Sequence, residues 1–173
     1  MFRIATAQDI PAVAQIYADI IAREGETPRT GWLPGVYPTG DTASAALDRG
    51  ELFVYEEDGA VLAAGILNQV QVDVYALGDW HYPAPPEGVM VLHTLVVSPR
   101  AAGRGLGSRF VGFYEDYARA HGCAVARLDT NSINTPARAL YGRLGYREAG
   151  IVPCDFNGIP GVSLVLLEKK LTP

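Results

Sequence analysis

The chain contains few of the residues that build disulfide frameworks and metal centres. Its 173 residues include two cysteines, Cys123 and Cys154, and three histidines. Two cysteines without a C-x-x-C motif do not make a disulfide framework, and a pair of reduced thiols in a cytosolic protein is the simpler interpretation. The histidines His81, His93 and His121 do not have metal-ligand spacing, so we expect no metal site.

The sequence also lacks a hydrophobic run long enough to cross a bilayer. A membrane helix needs about 20 apolar residues, whereas the longest apolar stretch, around Val89–Val97, has the length of a strand. The first residues do not form a signal peptide, because Gln8 and Asp9 interrupt their short apolar run. These features predict a cytoplasmic protein without a membrane partner.

The chain has fewer basic than acidic residues. Lys and Arg number 14 and Asp and Glu 19, which gives a net charge of -5. Nucleic-acid binding needs a basic face, so this balance argues against a nucleic-acid partner. It is compatible with a cationic small molecule, such as an amine. The 49% hydrophobic content is that of a globular protein, and the length suits a single domain spanning residues 1–173.

The hydrophobic pattern predicts a mixed α/β domain, with hairpins in the first half and strand-helix-strand crossovers in the second. Strands are predicted at Phe2–Ala5, Leu52–Tyr55, Val61–Val70, Val89–Val97, Val125–Thr130, Tyr146–Ile151 and Val162–Lys169. Helices are predicted at Ile10–Ile21, Thr39–Arg49, Leu106–His121 and Thr135–Leu144. The remaining long segments, Glu24–Gly40, Tyr75–Gly88 and Pro153–Gly161, are predicted to be loops.

A glycine-rich turn, Gly103–Gly107, separates a predicted strand from a predicted helix. Backbone N–H groups in the first turn of a helix have no partners, the helix dipole is positive there, and glycines let the backbone approach an anion. The turn therefore has the chemistry of a phosphate site. A tight turn without a ligand is the alternative. Neither G-x-x-x-x-G-K-[ST] nor G-x-G-x-x-G is present.

Two blocks of sequence carry a resemblance to a known family. The block Leu95-x-Val97-x-Pro99-x(5)-Gly105-x-Gly107 is similar to motif A of the GNAT (GCN5-related N-acetyltransferase) superfamily. The block Asn134-x-x-Ala137-x-x-Leu140-Tyr141-x-x-Leu144-Gly145-Tyr146 resembles a later segment of the same family. The resemblance covers nearly the whole chain. It implies a GNAT-like fold, with a mixed, mostly antiparallel sheet of about six to seven strands flanked by about four helices.

The resemblance also implies an acetyl-CoA-dependent N-acetyltransferase. The backbone of Leu95–Val97 would pair with the pantetheine arm, the amides of Ala102–Ser108 would hold the pyrophosphate, and Asn134 would contact the arm. Ala102 stands where the family usually has Gln or Arg, so backbone amides and nearby arginines are expected to bind the pyrophosphate. The cofactor-binding residues so implied are Leu95, Val96, Val97, Ala102, Gly103, Arg104, Gly105, Leu106, Gly107, Ser108, Asn134, Ala137 and Tyr141.

Two residues are candidates for proton transfer. Tyr141 matches the general acid of the family, and a packed core aromatic is the alternative. His93, two residues before the first block, has a pKa range that suits a general base, and a buried structural histidine is the alternative. His81 and Asp79 are weaker candidates, and the proton can also leave through water.

The sequence says less about the molecule that accepts the acetyl group than about its donor, acetyl-CoA. The aromatics of the two long loops, Trp32, Tyr37, Trp80 and Tyr82, could wall a substrate pocket, cover the core or form a homodimer contact. Acidic residues that could attract an amine are Asp73, Asp79 and Glu87. We expect direct acetyl transfer to a primary amine of a small molecule, such as an antibiotic or an amino-acid analogue like phosphinothricin. The alternatives are a protein N-terminus or lysine, and a non-catalytic acyl-CoA-binding or regulatory module.

Overall fold

A computed structural model of the chain describes residues 1–25 and 27–172. The strands are β1 (Phe2–Ile4), β2 (Leu52–Glu57), β3 (Ala60–Asn68), β4 (Val89–Val97), β5 (Val125–Asn131), β6 (Arg147–Phe156) and β7 (Ile159–Lys170). The α-helices are α1 (Ile10–Glu24), α2 (Gly40–Asp48), α3 (Leu106–Ala120) and α4 (Thr135–Arg143). The predicted fold class is confirmed.

The seven strands form one sheet in the order β1-β2-β3-β4-β5-β7-β6. Every neighbouring pair is antiparallel except β4 and β5, which are parallel because α3 connects them as a crossover. Side chains alternate between the two faces of a strand. Phe53 of β2 thus packs in one cluster with Phe110 of α3, whereas its neighbour Val54 packs with Val13 of α1. We call these two sides of the sheet the α3 face and the α1 face.

The last two strands are longer than the sequence pattern predicted. β6 and β7 form a hairpin around Asn157 and Gly158, which have φ angles of 49° and 81°. Left-handed residues at both central positions match the twist of a two-residue hairpin. The predicted loop at Pro153–Gly161 was therefore wrong. Pro153 is tolerated because β6 is an edge strand, where proline interrupts no inner ladder.

The parallel pair β4–β5 opens partway along its length. Only Val89–Leu92 pair with Val125–Leu128, although both strands continue. β4 also carries one residue more than β3 opposite Gly65, and Thr94 in this bulge has a φ of 51°. A bulge bends its strand and terminates regular pairing. The two strand ends, 93–97 and 129–131, therefore border an opening that we call the sheet gap.

Within residues 1–25 and 27–172, no helix combines the length and the apolar character that a membrane crossing requires.

Candidate active site

The β4 side of the sheet gap presents free backbone groups. The Ser98 N–H donates a 2.8 Å hydrogen bond to the Leu62 carbonyl, towards β3. Because backbone groups alternate in direction along a strand, those of Val97 and Leu95 point the other way, into the gap. An extended ligand can therefore pair with β4 as a strand would. This arrangement fits the pantetheine arm that the sequence resemblance implies.

The glycine turn lies beside the gap at the start of α3. Gly103 and Gly105 have φ angles of 77° and 70°, and Gly105 is the N-terminal cap residue of α3. Only glycine adopts this conformation without strain. Among the described residues, and apart from the chain neighbours of each glycine, no heavy atom lies within 4 Å of the point where its Cβ would stand. The turn is therefore open at both glycines, and the first N–H groups of α3 have no partners within the helix, which fits the pyrophosphate of acetyl-CoA.

Two arginines near the glycine turn are tied to β2. Arg104 forms an ion pair with Glu57, and this pairing lowers the pKa of that carboxyl. Arg109 donates a 3.1 Å hydrogen bond to the Tyr55 hydroxyl, and its guanidinium lies 4.7 Å from the centre of the Tyr55 ring. Part of the positive charge near the turn is thus already compensated. Arg100 is exposed.

A cavity of about 100 Å³ passes through the sheet gap. It is lined from the α3 face by Asn134, Ala137 and Tyr141, three of the residues predicted from the second sequence block. Asn134 also accepts a 3.3 Å hydrogen bond from the Ala137 N–H, which caps α4. Burial and the nearby Asp129 raise the pKa of Tyr141 well above its ordinary value of 10.0. Tyr141 therefore keeps its proton at neutral pH and can act as a donor.

The loop that follows α1 closes the cavity from the α1 face. Asn131 at the end of β5 donates a 3.2 Å hydrogen bond to the Thr30 carbonyl. Gly31 has a φ of 72°, which favours glycine, and a Cβ there would stand 2.4 Å from the Asn131 amide nitrogen and displace that side chain. The loop residues Trp32 and Tyr37, both named from the sequence as candidate pocket residues, line the cavity.

Tyr37 holds this loop against the bulge of β4. Its hydroxyl is hydrogen-bonded to Oγ1 of Thr94. Its ring meets those of Trp32 and Phe156 edge-on, with centroids 6.2 Å and 5.6 Å away. Burial raises the pKa of Tyr37 to about 12. Near this loop the cavity therefore has neutral aromatic walls.

The other two predicted aromatics do not reach the cavity. Trp80 donates a 2.7 Å hydrogen bond to the Tyr75 carbonyl, and the Arg127 guanidinium lies 3.9 Å from its ring centre. Tyr82 packs on the core of the α1 face, and its N–H donates to the buried Glu168. Both residues stabilise the segment before β4, and neither belongs to the lining of this cavity.

Most of the other proton-acceptor and amine-attracting candidates also lie outside the cavity lining. Asp79 is paired with Arg147, and the His81 N–H donates to Glu168. Asp73 and Glu87 are exposed. His93 does line the cavity, where its Nε2 lies 2.9 Å from the Asn68 side-chain oxygen. Burial lowers the His93 pKa to about 4, which makes this ring a weak base.

Sequence reasoning missed the acidic residue of the cavity. Asp129 near the end of β5 lines it, and its Oδ2 accepts a 2.8 Å hydrogen bond from the Tyr75 hydroxyl. Burial raises the pKa of this carboxyl to about 6. A signal was available, since ligands of α/β sheets bind at the carboxyl ends of parallel strands. Applying this rule to Asp129 requires knowing that β5 pairs with β4, and the hydrophobic pattern of the sequence does not give strand pairing.

Comparisons with known proteins agree with this geometry. The model of the Acetyltransferase (GNAT) family matches residues 17–146. The uncharacterized N-acetyltransferase YhfO of Bacillus subtilis (strain 168) is 37% identical over 60 residues, which are 35% of this chain and 40% of that protein. YesJ, another uncharacterized N-acetyltransferase of that strain, is 28% identical over 131 residues, 75% of this chain and 66% of that one. The matches thus span less than two thirds of either relative.

The fold is shared with a solved structure that contains acetyl-CoA. The structure of yncA from Salmonella typhimurium, described with its cofactor acetyl-CoA, superposes with a TM-score of 0.69 at 21% identity. The match covers 100% of this chain and 94% of that one. GNAT acetyltransferases use acetyl-CoA, in agreement with the predicted cofactor. The family model covers most of the chain, and the chain therefore belongs to the GNAT family of acetyltransferases.

Proposed function

We propose that this chain is an acetyl-CoA-dependent N-acetyltransferase that acts on a primary amine of a small molecule. The observation that supports this most is the cavity through the sheet gap. It has Tyr141 on the α3 face and the aromatic residues Trp32 and Tyr37 on the α1 face. Donor and acceptor can thus approach one another from opposite sides of the sheet. A cavity of about 150 Å³ holds a benzene molecule, so a cavity of about 100 Å³ suits the amine end of a small acceptor.

Each part of the site has a role in this proposal. Bound acetyl-CoA supplies the acetyl group as a thioester. The amides of residues 102–108 would hold its pyrophosphate, while the backbone of Leu95 and Val97 would orient its arm along β4. The Val97 backbone also polarises the acetyl carbonyl, which is the electrostatic contribution that acyl transfer needs most. Asn134 and Ala137 border the arm on the α3 face.

Tyr141 is the proposed general acid. Its raised pKa keeps the hydroxyl protonated, so the group can donate its proton or a hydrogen bond to the departing thiolate. The proton of the acceptor must leave on the other side. His93 was predicted for this role, and its base strength is reduced by burial. The predicted homodimer and the cytoplasmic location stay predictions.

A CoA-release assay over a panel of primary amines tests the proposal. Acetyl-CoA at ~100 times its dissociation constant is expected to stabilise the protein by about 2.7 kcal/mol. Release of CoA should require both the amine and the protein, and the amine should gain one acetyl group. Binding of acetyl-CoA without release, across the panel, would instead indicate the non-catalytic module. Stabilisation by NAD or ATP but not by acetyl-CoA would contradict the family's cofactor here.

A further inference from the structure

We propose that Asp129 is the carboxylate that binds the acceptor, and that the acceptor is a compact primary amine with no acidic group near its nitrogen. This inference rests on the proposed function, because it specifies the acceptor of the same site. It follows from the position of Asp129, from the charges of the groups around it and from the shape of the cavity.

Asp129 is a half-buried carboxylate with unused hydrogen-bonding capacity. It lines the cavity from the α1 face, near the end of β5. Within the described chain, its Oδ2 accepts a 2.8 Å hydrogen bond from the Tyr75 hydroxyl. An ionised carboxylate has about four acceptor positions, and a buried charge is unfavourable unless it is paired. A primary ammonium in the cavity would supply both the countercharge and the missing donors.

The groups that face Asp129 leave it as the dominant charge of the cavity. Titratable side chains approach it from the loop after α1 (Tyr37), the 3-10 helix 73–77 (Tyr75), β4 (His93), α4 (Tyr141) and β6 (Cys154). The pKa values of the tyrosines and the cysteine are raised and that of His93 is lowered, so all five are neutral at pH 7. The cavity therefore selects a cation.

An acceptor that also carries an acid would find no partner for it. Among the lining residues of the cavity, all of which lie in the described part of the chain, there is no lysine and no arginine. A carboxylate next to the amine would stand beside Asp129 in the same small volume. Like charges in a poorly solvated site repel strongly. Free amino acids and analogues such as phosphinothricin, which the sequence left open as acceptors, are therefore disfavoured.

The walls of the acceptor side restrict size and favour a cation. Trp32, Tyr37 and Phe156 present aromatic surfaces to the cavity. Aromatic faces attract an ammonium and accept short aliphatic groups. With a volume of about 100 Å³, the cavity accommodates an amine end with a short, slim substituent.

Asp129 also fits the removal of the ammonium proton. One N–H bond of the ammonium breaks, its electron pair stays on nitrogen as the nucleophilic lone pair, and the proton bonds to a carboxylate oxygen of Asp129. The proton then passes to water, which restores the carboxylate. Burial brings the pKa of Asp129 to about 6, nearer to neutral pH than an ordinary carboxyl, as general-base catalysis requires.

Asp129→Asn tests the inference against a matched control, Asp73→Asn. Asparagine keeps the shape and an oxygen for Tyr75, and Asp73 is an exposed aspartate of the neighbouring 3-10 helix. We expect Asp129→Asn to lower kcat/KM for propylamine by about 100-fold or more. Binding of propylamine to the protein without acetyl-CoA, followed by saturation-transfer NMR, should be lost as well. The affinity for acetyl-CoA should stay within about two-fold, and Asp73→Asn should leave all three quantities unchanged.

Matched acceptors test the exclusion of acids. Propylamine and 3-methylbutylamine differ from 2-aminobutanoate and leucine only by the carboxylate, and we expect the amines to be preferred by about 100-fold in kcat/KM. Preference for the amino acids, or unchanged amine binding and turnover in Asp129→Asn, would overturn the inference while leaving N-acetyl transfer intact. Amine binding that depends on Asp129 without any transfer would sustain the amine site and overturn the proposed function. Absence of amine binding to the wild-type protein would overturn the inference itself.

Discussion

Gly107 of α3 lies directly against Leu140 of α4. A Cβ on Gly107 would stand 3.2 Å from Cδ2 of Leu140, closer than ordinary van der Waals contact. The helix that begins at the glycine turn and the helix that carries Tyr141 therefore touch at this point. The contact couples the position of the proposed acid to the pyrophosphate cradle, although the two sequence blocks are some 30 positions apart.

Enlarging Gly107 is expected to displace Tyr141. Gly107→Val pushes Leu140 away, and a shift of the following residue should lower kcat by about 10-fold, since a misplacement of about 1 Å can cost 100-fold. The double variant Gly107→Val/Leu140→Ala removes the collision and should recover kcat to within about three-fold of Leu140→Ala alone. Steady-state kinetics of the four proteins measure this. Additive effects of the two substitutions would contradict the coupling.

The left-handed glycine of the turn is expected to matter for acetyl-CoA binding. Gly105 has a φ of 70°, so Gly105→Ala should cost about 1 kcal/mol in folding free energy and shift the amides at the start of α3. We expect about a 10-fold loss of acetyl-CoA affinity, measured by calorimetry. Gly112→Ala, at an exposed position inside the same helix, should instead stabilise the fold by about 0.5–1 kcal/mol with unchanged affinity. Equal effects of the two variants would count against the role of the turn.

Removal of the Tyr141 hydroxyl is expected to slow turnover without weakening the binding of acetyl-CoA. Tyr141→Phe keeps the ring that packs edge-on against Tyr146, with centroids 5.9 Å apart, and removes only the donor. Turnover should fall by about 10-fold or more, as for loss of a general acid. Tyr146→Phe removes a hydroxyl outside the cavity lining and should leave turnover unchanged. Full activity of Tyr141→Phe would refute the acid role.

The ionised side chain of Asp129 is expected to lower the free energy of unfolding at neutral pH. The pKa of Asp129 rises from 3.8 to about 6 on folding, so its folded form binds the proton more tightly than its unfolded form. Stability is therefore lost as the pH rises from 3.8 to about 6, by up to about 3 kcal/mol. Asp129→Asn avoids this loss and should raise the melting temperature at pH 8 but barely at pH 4. A lower melting temperature than wild type at pH 8 would contradict the pKa shift.

Much of the fold follows from local patterns in the sequence. The 3.6-residue periodicity located α1 and α3, whereas start and stop residues located α2 and α4. The exception was the β6–β7 hairpin, where Asn157-Gly158 fits a two-residue turn but Pro153 and Pro160 disfavour strands on either side. Whether a proline is tolerated depends on which strand lies at the edge, and this is a property of the assembled sheet.

The site was predictable to a different extent on its two faces. The residues of the α3 face belong to two continuous blocks, so Tyr141, Asn134 and Ala137 were found together at the cavity. The α1 face is assembled from a loop, β5 and β6, which are distant in sequence. Composition pointed to aromatic loop residues there, of which Trp32 lines the cavity and Trp80 does not. Asp129 could be recognised as a site residue only once the structure showed that β4 and β5 separate near their ends.

Transfer of a labelled acetyl group tests the central claim most directly. Wild-type protein is incubated with propylamine and acetyl-CoA that carries ¹³C in the acetyl group, and the products are followed by NMR and mass spectrometry. The account predicts N-propylacetamide that carries the label, formed one for one with free CoA. Labelled acetate in place of the acetamide, or acetyl-CoA left intact beside every amine of the panel, would contradict it.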